Sequence, residues 1–252
     1  MDALAWPYVG RDGRLYLFTD RDAPRGRVCV TDPTTPGYDH WRTLIAADSD
    51  AVLSGFAILD GPELERPVML ASWRRHAVSE VTVHDLVAGE RKGTVPLPGL
   101  GSVGGLLERP EGGHEAWFNY TDNTSPSAVY RYDARTGEVA LWESAPGTLD
   151  LPEVRTEQVT YTSRDGTPVR MLVVSPPDMD GPRPAILYGY GGFSISLTPG
   201  YSATILAWVR AGGVYAVAGL RGGLEEGEEW HRGGCSARSR TCSTTAPARR
   251  ST

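Results

Sequence analysis

Hydrophobic and polar residues alternate in short runs over the first 150 positions. The runs LYLFTD (15–20), RVCVTD (27–32), FAILDG (56–61), VMLASW (68–73), EVTVHDL (80–86), EAWFNY (115–120), AVYRYD (128–133) and EVALW (138–142) are rich in Val, Leu, Tyr or Trp. Gly, Pro, Asp and Asn separate them, and that pattern predicts β-strands joined by turns. No window sustains a helical period, so this half is expected to be all-β.

A weak repeat runs through these strands. RVCVTD ends at Asp32, EVTVHD at Asp85 and VYRYD at Asp133, intervals of 53 and 48 residues. Each Asp precedes a glycine-containing turn (TTPG, LVAG, ARTG) and then another strand. A period of about 40–50 residues holding several strands is the signature of a propeller blade. A β-sandwich fits the same pattern if its turns merely share Asp, which turns favour in any case. Two to three blades fit in 150 residues, against about 4–8 for a closed propeller, so the chain is expected to begin inside a domain.

The pattern changes near residue 150. VTYTSRDGTPVRMLVVSP (159–176) predicts a hairpin turning at RDGT. PAILYGYGG (184–192) reads as a buried strand running into glycines. YSATILAWVRAGG (201–213) places Ile205, Leu206, Trp208 and Val209 at helical spacing before a Gly-Gly stop, and VYAVAGLRGG (214–223) reads as a second buried strand. Strand, helix and strand with continuous apolar strands predict a parallel α/β sheet. The domain boundary is expected between 145 and 158.

Composition narrows the function classes. The 252 residues are 40% hydrophobic with a net charge of −6, a globular balance that argues against nucleic-acid binding. Cys29, Cys235 and Cys242 are too few and too scattered for a disulfide framework or a zinc site. No apolar run reaches the roughly 18 residues of a membrane span. DALAWPYVG after Met1 lacks the basic and apolar regions of a signal peptide. A cytoplasmic location is expected, with no membrane, metal or cofactor.

Two stretches carry candidate chemistry. In LYGYGGF (187–193) a strand delivers Tyr190 into a glycine turn followed by Phe193. A tyrosine hydroxyl there can donate to a developing oxyanion, with the glycines allowing close approach. On the residues alone an ordinary strand end with a core tyrosine is the favoured reading. RGGLEEGEEWHRGG (221–234) reads either as a solvated acidic loop or as a buried polar network of Arg221 and glutamates, with His231 a base or a hydrogen-bonded loop residue. Neither a phosphate loop nor a G-x-S-x-G elbow occurs in the sequence.

YTSRDGTPVRMLVV, LYGYGGFSISLTPGYS and GGVYAVAGLRGGLEEGEEWHRGG together resemble the prolyl oligopeptidase family of serine peptidases. The likeness spans about residue 14 to Gly234 and is strongest over 155–234. It implies blades of a β-propeller, partial in this chain (1–150), followed by the start of an α/β-hydrolase peptidase domain (151–234). It also implies hydrolysis of short proline-containing peptides after proline by a monomeric parent enzyme. It gives Tyr190 the role of side-chain oxyanion donor and Phe193 that of lining the proline pocket. The family usually has Asn at Gly219, Gly at Leu224 and Tyr at Glu226, so the local loop geometry is expected to depart from the family's. Its Ser, Asp and His triad matches nothing in these residues, so the chain alone is expected to be inactive. A non-catalytic propeller binding module and one half of a split hydrolase stay open as alternatives.

The residues from Cys235 to Thr252 contain no Val, Ile, Leu, Met or aromatic residue. One allowed coding of CSARSRTCSTT, shifted by one base, reads MLGAKQNVFDD, similar to the continuation the family shows after its W-H-x-G-G block. A one-base deletion near Gly234 is therefore expected, leaving 235–252 a non-native, disordered tail. A disordered basic tail that binds a partner is the other reading.

Overall fold

The computed structural model describes residues 3–147 and 151–234. The described strands form four four-stranded sheets. The first holds β1 (Ala5–Val9), β2 (Leu15–Thr19), β3 (Arg27–Thr31) and β4 (Arg42–Ile45). The second holds β5 (Ala51–Leu59), β6 (Val68–Arg75), β7 (Val78–Asp85) and β8 (Arg91–Thr94). The third holds β9 (Ser102–Glu108), β10 (Glu115–Thr121), β11 (Ala128–Asp133) and β12 (Glu138–Glu143). Each of the three is an antiparallel meander in chain order.

The Asp repeat has a structural cause. Asp32, Asp85 and Asp133 all stand where the third strand of a sheet turns into the fourth. Asp32 Oδ1 accepts the Thr34 N–H at 2.7 Å, and Asp133 Oδ1 accepts the Arg135 N–H at 2.9 Å. Asp85 Oδ1 accepts two, from Val87 at 2.9 Å and Ala88 at 2.8 Å. One Asx turn per sheet sets the register of each final hairpin. These bonds favour the ionised form and hold all three carboxyls below their ordinary range, Asp133 down to about 2, where Arg135 contributes most.

The sheets stack face to face. Met69, Ala71 and Trp73 of β6 face the first sheet, packing with Tyr16, Val28 and Val30. Leu70, on the opposite face, packs with Val81 and with Phe118 and Tyr120 of the third sheet. The run VMLASW has no polar face because both of its faces are covered. Full burial of each such side chain contributes about 1.5–3 kcal/mol. The first strands converge on one side. Tyr8 of β1 donates to Glu108 of β9 at 3.1 Å. Arg11, in the β1–β2 turn, pairs with Asp60 at 2.8 Å and donates to the Ile58 carbonyl at 3.0 Å and the Pro110 carbonyl at 3.4 Å. One guanidinium thus ties together turns of three sheets.

The fourth sheet differs. It contains β13 (Arg155–Thr162), β14 (Pro168–Ser175), β15 (Ala185–Tyr190) and β16 (Val214–Gly219), in the order β13-β14-β16-β15. The expected hairpin forms, with Thr162 opposite Pro168. The expected helix is α1 (Ala203–Arg210), capped by the Ser202 side chain and burying Leu206 and Val209. It connects β15 to β16, which pair in parallel. A short α2 (Glu228–Gly233) follows.

Two expectations need correction. The sheet is mixed, because a short hairpin can join β13 to β14 only as antiparallel strands, and β14 also pairs antiparallel with β16. β15 is not buried: Ile186, Leu187 and Tyr188 are about half exposed. It is the terminal strand of the sheet, and among the described residues the helix packs on β16. The expected boundary interval includes 148–150, outside the described residues, as does the tail 235–252 read above as non-native. No helix among the described residues is long and apolar enough to cross a membrane.

Candidate functional site

The carboxyl end of β15 carries the two residues singled out from the sequence. Tyr190 ends the strand, Gly191 and Gly192 make the turn, and Phe193 follows. Phe193 and Ser194 both adopt the left-handed region, with φ of 52° and 57°. For non-glycine residues that costs about 1–3 kcal/mol each and persists only where surroundings enforce it. Here the enforcement comes from the loop after β16. Ser194 N–H donates to the Gly222 carbonyl at 3.2 Å, and His231 Nδ1 lies 2.8 Å from the same oxygen. A carbonyl only accepts, so Nδ1 carries the proton, and His231 is bonded to the backbone that supports the turn. The Phe193 side chain is 85% exposed and packs into no core of the described residues. The glycine at 222 is required: its φ is 104°, and a Cβ there would sit 2.3 Å from the Gly191 oxygen.

The acidic loop turns out to be a buried polar network rather than a solvated face. Arg221 pairs with Asp165 of the β13–β14 turn at 2.5 Å, and the Ser163 hydroxyl, followed by Arg221, holds that carboxyl low. Glu225 is 4% exposed; one oxygen accepts the Leu197 N–H at 2.9 Å, and burial raises its pKa. Glu226 lies 3.6 Å from His76 Nδ1, 3.6 Å from Arg170 Nε and 3.7 Å from Arg25 Nη2. His76 and Ala77 form the β6–β7 turn, both left-handed, with φ of 53° and 70°. Gln158 of β13 donates to the His76 carbonyl, and Arg170 Nη2 lies 3.0 Å from His76 Nε2. Arg74 beside it donates to Ser196 Oγ at 2.8 Å. The second sheet of the repeat is therefore clamped to the fourth sheet by charge and hydrogen bonds, and of the residues involved Arg74, His76, Gln158 and Arg170 carry no sign of this role in the sequence. RRHAV contains no glycine and gives no sign of a tight turn.

A metal is the other thing such clusters hold. Among the described residues His114, Glu115 and Asp133 bring ligand atoms within 4.8 Å of one another. Arginines already compensate the two acids: Arg109 and Arg131 on Glu115, Arg135 on Asp133.

Three stacked four-stranded meanders with converging first strands define an arc of a β-propeller, joined here to a mixed sheet through a polar interface. Residues 2–145 match the family model described as prolyl oligopeptidase, N-terminal beta-propeller domain. The chain belongs to the prolyl oligopeptidase family. It is 33% identical over 223 residues to a prolyl endopeptidase of Elizabethkingia meningoseptica, covering 87% of this chain and 30% of the relative. It is 40% identical over 237 residues to prolyl oligopeptidase A of Galerina marginata, again spanning 30% of that protein. A solved prolyl endopeptidase from a study of inter-domain dynamics in catalysis and specificity superposes with a TM-score of 0.86 at 35% identity. That match covers 97% of this chain and 35% of the other. Prolyl oligopeptidase B of Galerina marginata, solved with a 35mer hydrolysis and macrocyclization substrate, gives 0.82 at 25% identity, covering 97% of this chain and 34% of that one. The chain thus spans about a third of the length of its curated relatives.

Proposed function

We propose that residues 1–150 are blades of the propeller, and that 151–234 open the α/β-hydrolase peptidase domain of an enzyme that cleaves short peptides after proline. The observation that carries this reading is the turn from Tyr190 to Phe193 at the carboxyl end of β15, in a parallel β15–α1–β16 crossover. Open α/β sheets bind ligands at the carboxyl ends of their strands. The exposed apolar side chains of β15 support the same reading, since parallel strands of this type are covered on both faces. So does the span of the structural matches, which extends past the propeller.

In this mechanism a serine supplied from outside these residues attacks the carbonyl carbon of the proline itself, with histidine taking the serine proton as general base and passing it to the departing amine. The Tyr190 hydroxyl donates to the oxygen as it becomes negative. The Phe193 ring offers an apolar wall to the proline ring, whose recognition rests on shape and burial. The strained backbone at 193–194 holds that ring out from the sheet, where a substrate can meet it.

These 252 residues contain no G-x-S-x-G, so the purified chain is expected not to turn over a proline-linked chromogenic peptide. Serine-inhibitor-sensitive turnover would refute this. In a chimera completed with the missing part of a relative's peptidase domain, Tyr190→Phe is expected to lower kcat about 100–1,000-fold with little change in KM, the typical loss for one oxyanion donor. An unchanged kcat removes Tyr190 from the mechanism.

A further inference from the structure

Residues 191–202 connect β15 to α1 with no helix or strand of their own. Links of about 12 residues without regular structure are uncommon, and their backbone groups need partners from elsewhere. Two sets of partners hold this one. On one side stands the loop after β16: the Gly222 carbonyl accepts the Ser194 N–H at 3.2 Å, and Glu225 Oε1 accepts the Leu197 N–H at 2.9 Å. On the other side stands the propeller. Arg74 of β6 donates to Ser196 Oγ at 2.8 Å, and Ser102 of β9 donates to the carbonyl of buried Pro199 at 2.5 Å. Thr121 Oγ1, at the end of β10, accepts the Tyr201 N–H at 3.3 Å.

Of these propeller groups Arg74 acts nearest to Phe193. Ser196 follows Phe193 by three residues, at most about 10 Å of extended chain. The same Arg74 nitrogen lies 3.4 Å from the Leu224 carbonyl, so one guanidinium reaches both the link and the loop after β16. Burial disfavours the charge of Arg74, and Glu225 offsets part of that cost.

The Phe193 ring depends on such supports. It is 85% exposed, so packing does not aim it. Its direction follows from the backbone at 193 and 194, both left-handed, a conformation that persists only where the surroundings enforce it.

We propose that Arg74 is a positioning residue for Phe193. Through Ser196 it holds the segment after the ring against the propeller, and so fixes the face that the ring turns to a proline-containing substrate. The inference rests on the reading of Phe193 as a wall of the proline site. Recognition of proline then depends on a residue of the second sheet, far from the sheet that carries the ring.

Amide hydrogen exchange of the full chain tests the link without any substrate. Arg74→Met is expected to speed exchange at Ser194 and Leu197 about 10–100-fold, the range that a hydrogen bond from a charged donor supports, while the amides of β7 keep their rates. Ser196→Ala removes the acceptor alone and should act in the same direction, with the double variant little different from Arg74→Met. It also decides the matter if Arg74→Met fails to fold. Unchanged exchange at Ser194 and Leu197 in either folded variant overturns the proposal. The second readout uses the chimera completed with a relative's peptidase domain. There Arg74→Met should lower the preference for proline over alanine about tenfold, as loss of one apolar contact does, and Arg74→Lys should restore part of it. A preference that survives Arg74→Met unchanged overturns the positioning role. An unsubstituted chimera that turns over peptides with no preference for proline overturns the reading of Phe193 on which the role rests, and the exchange rates still show whether Arg74 holds the link.

Discussion

Gly222→Ala tests whether the loop after β16 holds the turn from Tyr190 to Phe193 in place. The new Cβ would lie 2.3 Å from the Gly191 oxygen and 2.6 Å from its carbon, backbone atoms that cannot rotate away. Alanine at a φ of 104° adds a left-handed penalty of about 1–2 kcal/mol. Relieving the clash means separating the two loops. That endangers three hydrogen bonds: Gly222 N–H to the Trp230 carbonyl at 3.0 Å, Ser194 N–H to the Gly222 carbonyl at 3.2 Å, and His231 Nδ1 to the same carbonyl at 2.8 Å. At about 0.5–1.5 kcal/mol each, these bring the expected loss to about 3–6 kcal/mol. That is a large share of the roughly 5–15 kcal/mol that stabilises a typical domain. The assay is urea unfolding followed by tryptophan fluorescence, and the control is Gly104→Ala in β9. At Gly104 an added Cβ meets nothing within 4 Å and φ is not left-handed. The control should change stability by less than about 1 kcal/mol, in the stabilising direction if the unfolded chain is what it alters. If the two variants unfold within about 0.5 kcal/mol of each other, loop 222 does not support the turn and the reasoning fails.

Phe193→Gly should raise stability by about 0.5–1 kcal/mol, since it relieves a left-handed backbone and removes a ring that is 85% exposed; a loss of stability on urea unfolding would mean the ring is packed. Arg11→Ala should cost about 1.5–3 kcal/mol by leaving Asp60 and the Ile58 carbonyl without their charged donor, and a change under about 0.5 kcal/mol would mean that the three turns hold together without it. Burial, then Arg170, lowers the pKa of His76 from its ordinary value of 6.5. The unfolded chain therefore takes up this proton first as pH falls, so the contribution of neutral His76 is present above 6.5 and is lost as pH falls from 6.5 towards the folded value. His76→Gln should flatten the dependence of the urea midpoint on pH just below 6.5, and an unaltered slope would assign the acid sensitivity to other groups.

Some of this was legible because it is local. VMLASW, EVTVHDL and AVYRYD form the strands their patterns announce, and α1 stops just before its Gly-Gly signal. The strands not anticipated are β1 and β9, and β4 and β8 are expected only as the strand that follows each Asp turn; all four lie on the margin of their sheets. A marginal strand pairs on one side only, so it can be short and polar like RKGT or interrupted by glycines like SVGGLLE. Tyr190 and Phe193 stand together on one turn, as LYGYGGF suggested. The partners that hold the turn, Gly222 and His231, lie about thirty to forty positions further on and carry no mark of that role in the sequence.

By itself the sequence determined the blade repeat, since an Asx turn needs only an aspartate and the two or three residues after it. It determined the strand–helix–strand order and the glycine turn after Tyr190 for the same reason: these depend on propensities and hydrogen bonds within a few residues. Only the tertiary structure decided which faces are covered, leaving the apolar strand AILYGY half exposed while VMLASW is enclosed. It alone brought His76, Arg170 and Glu226 together from 150 residues of separation and buried Glu225 beneath them. Their charges become structural only when distant segments shut out water. Apolar and charged residues alike carry no local sign of that exclusion, because it belongs to the packing of one sheet against another.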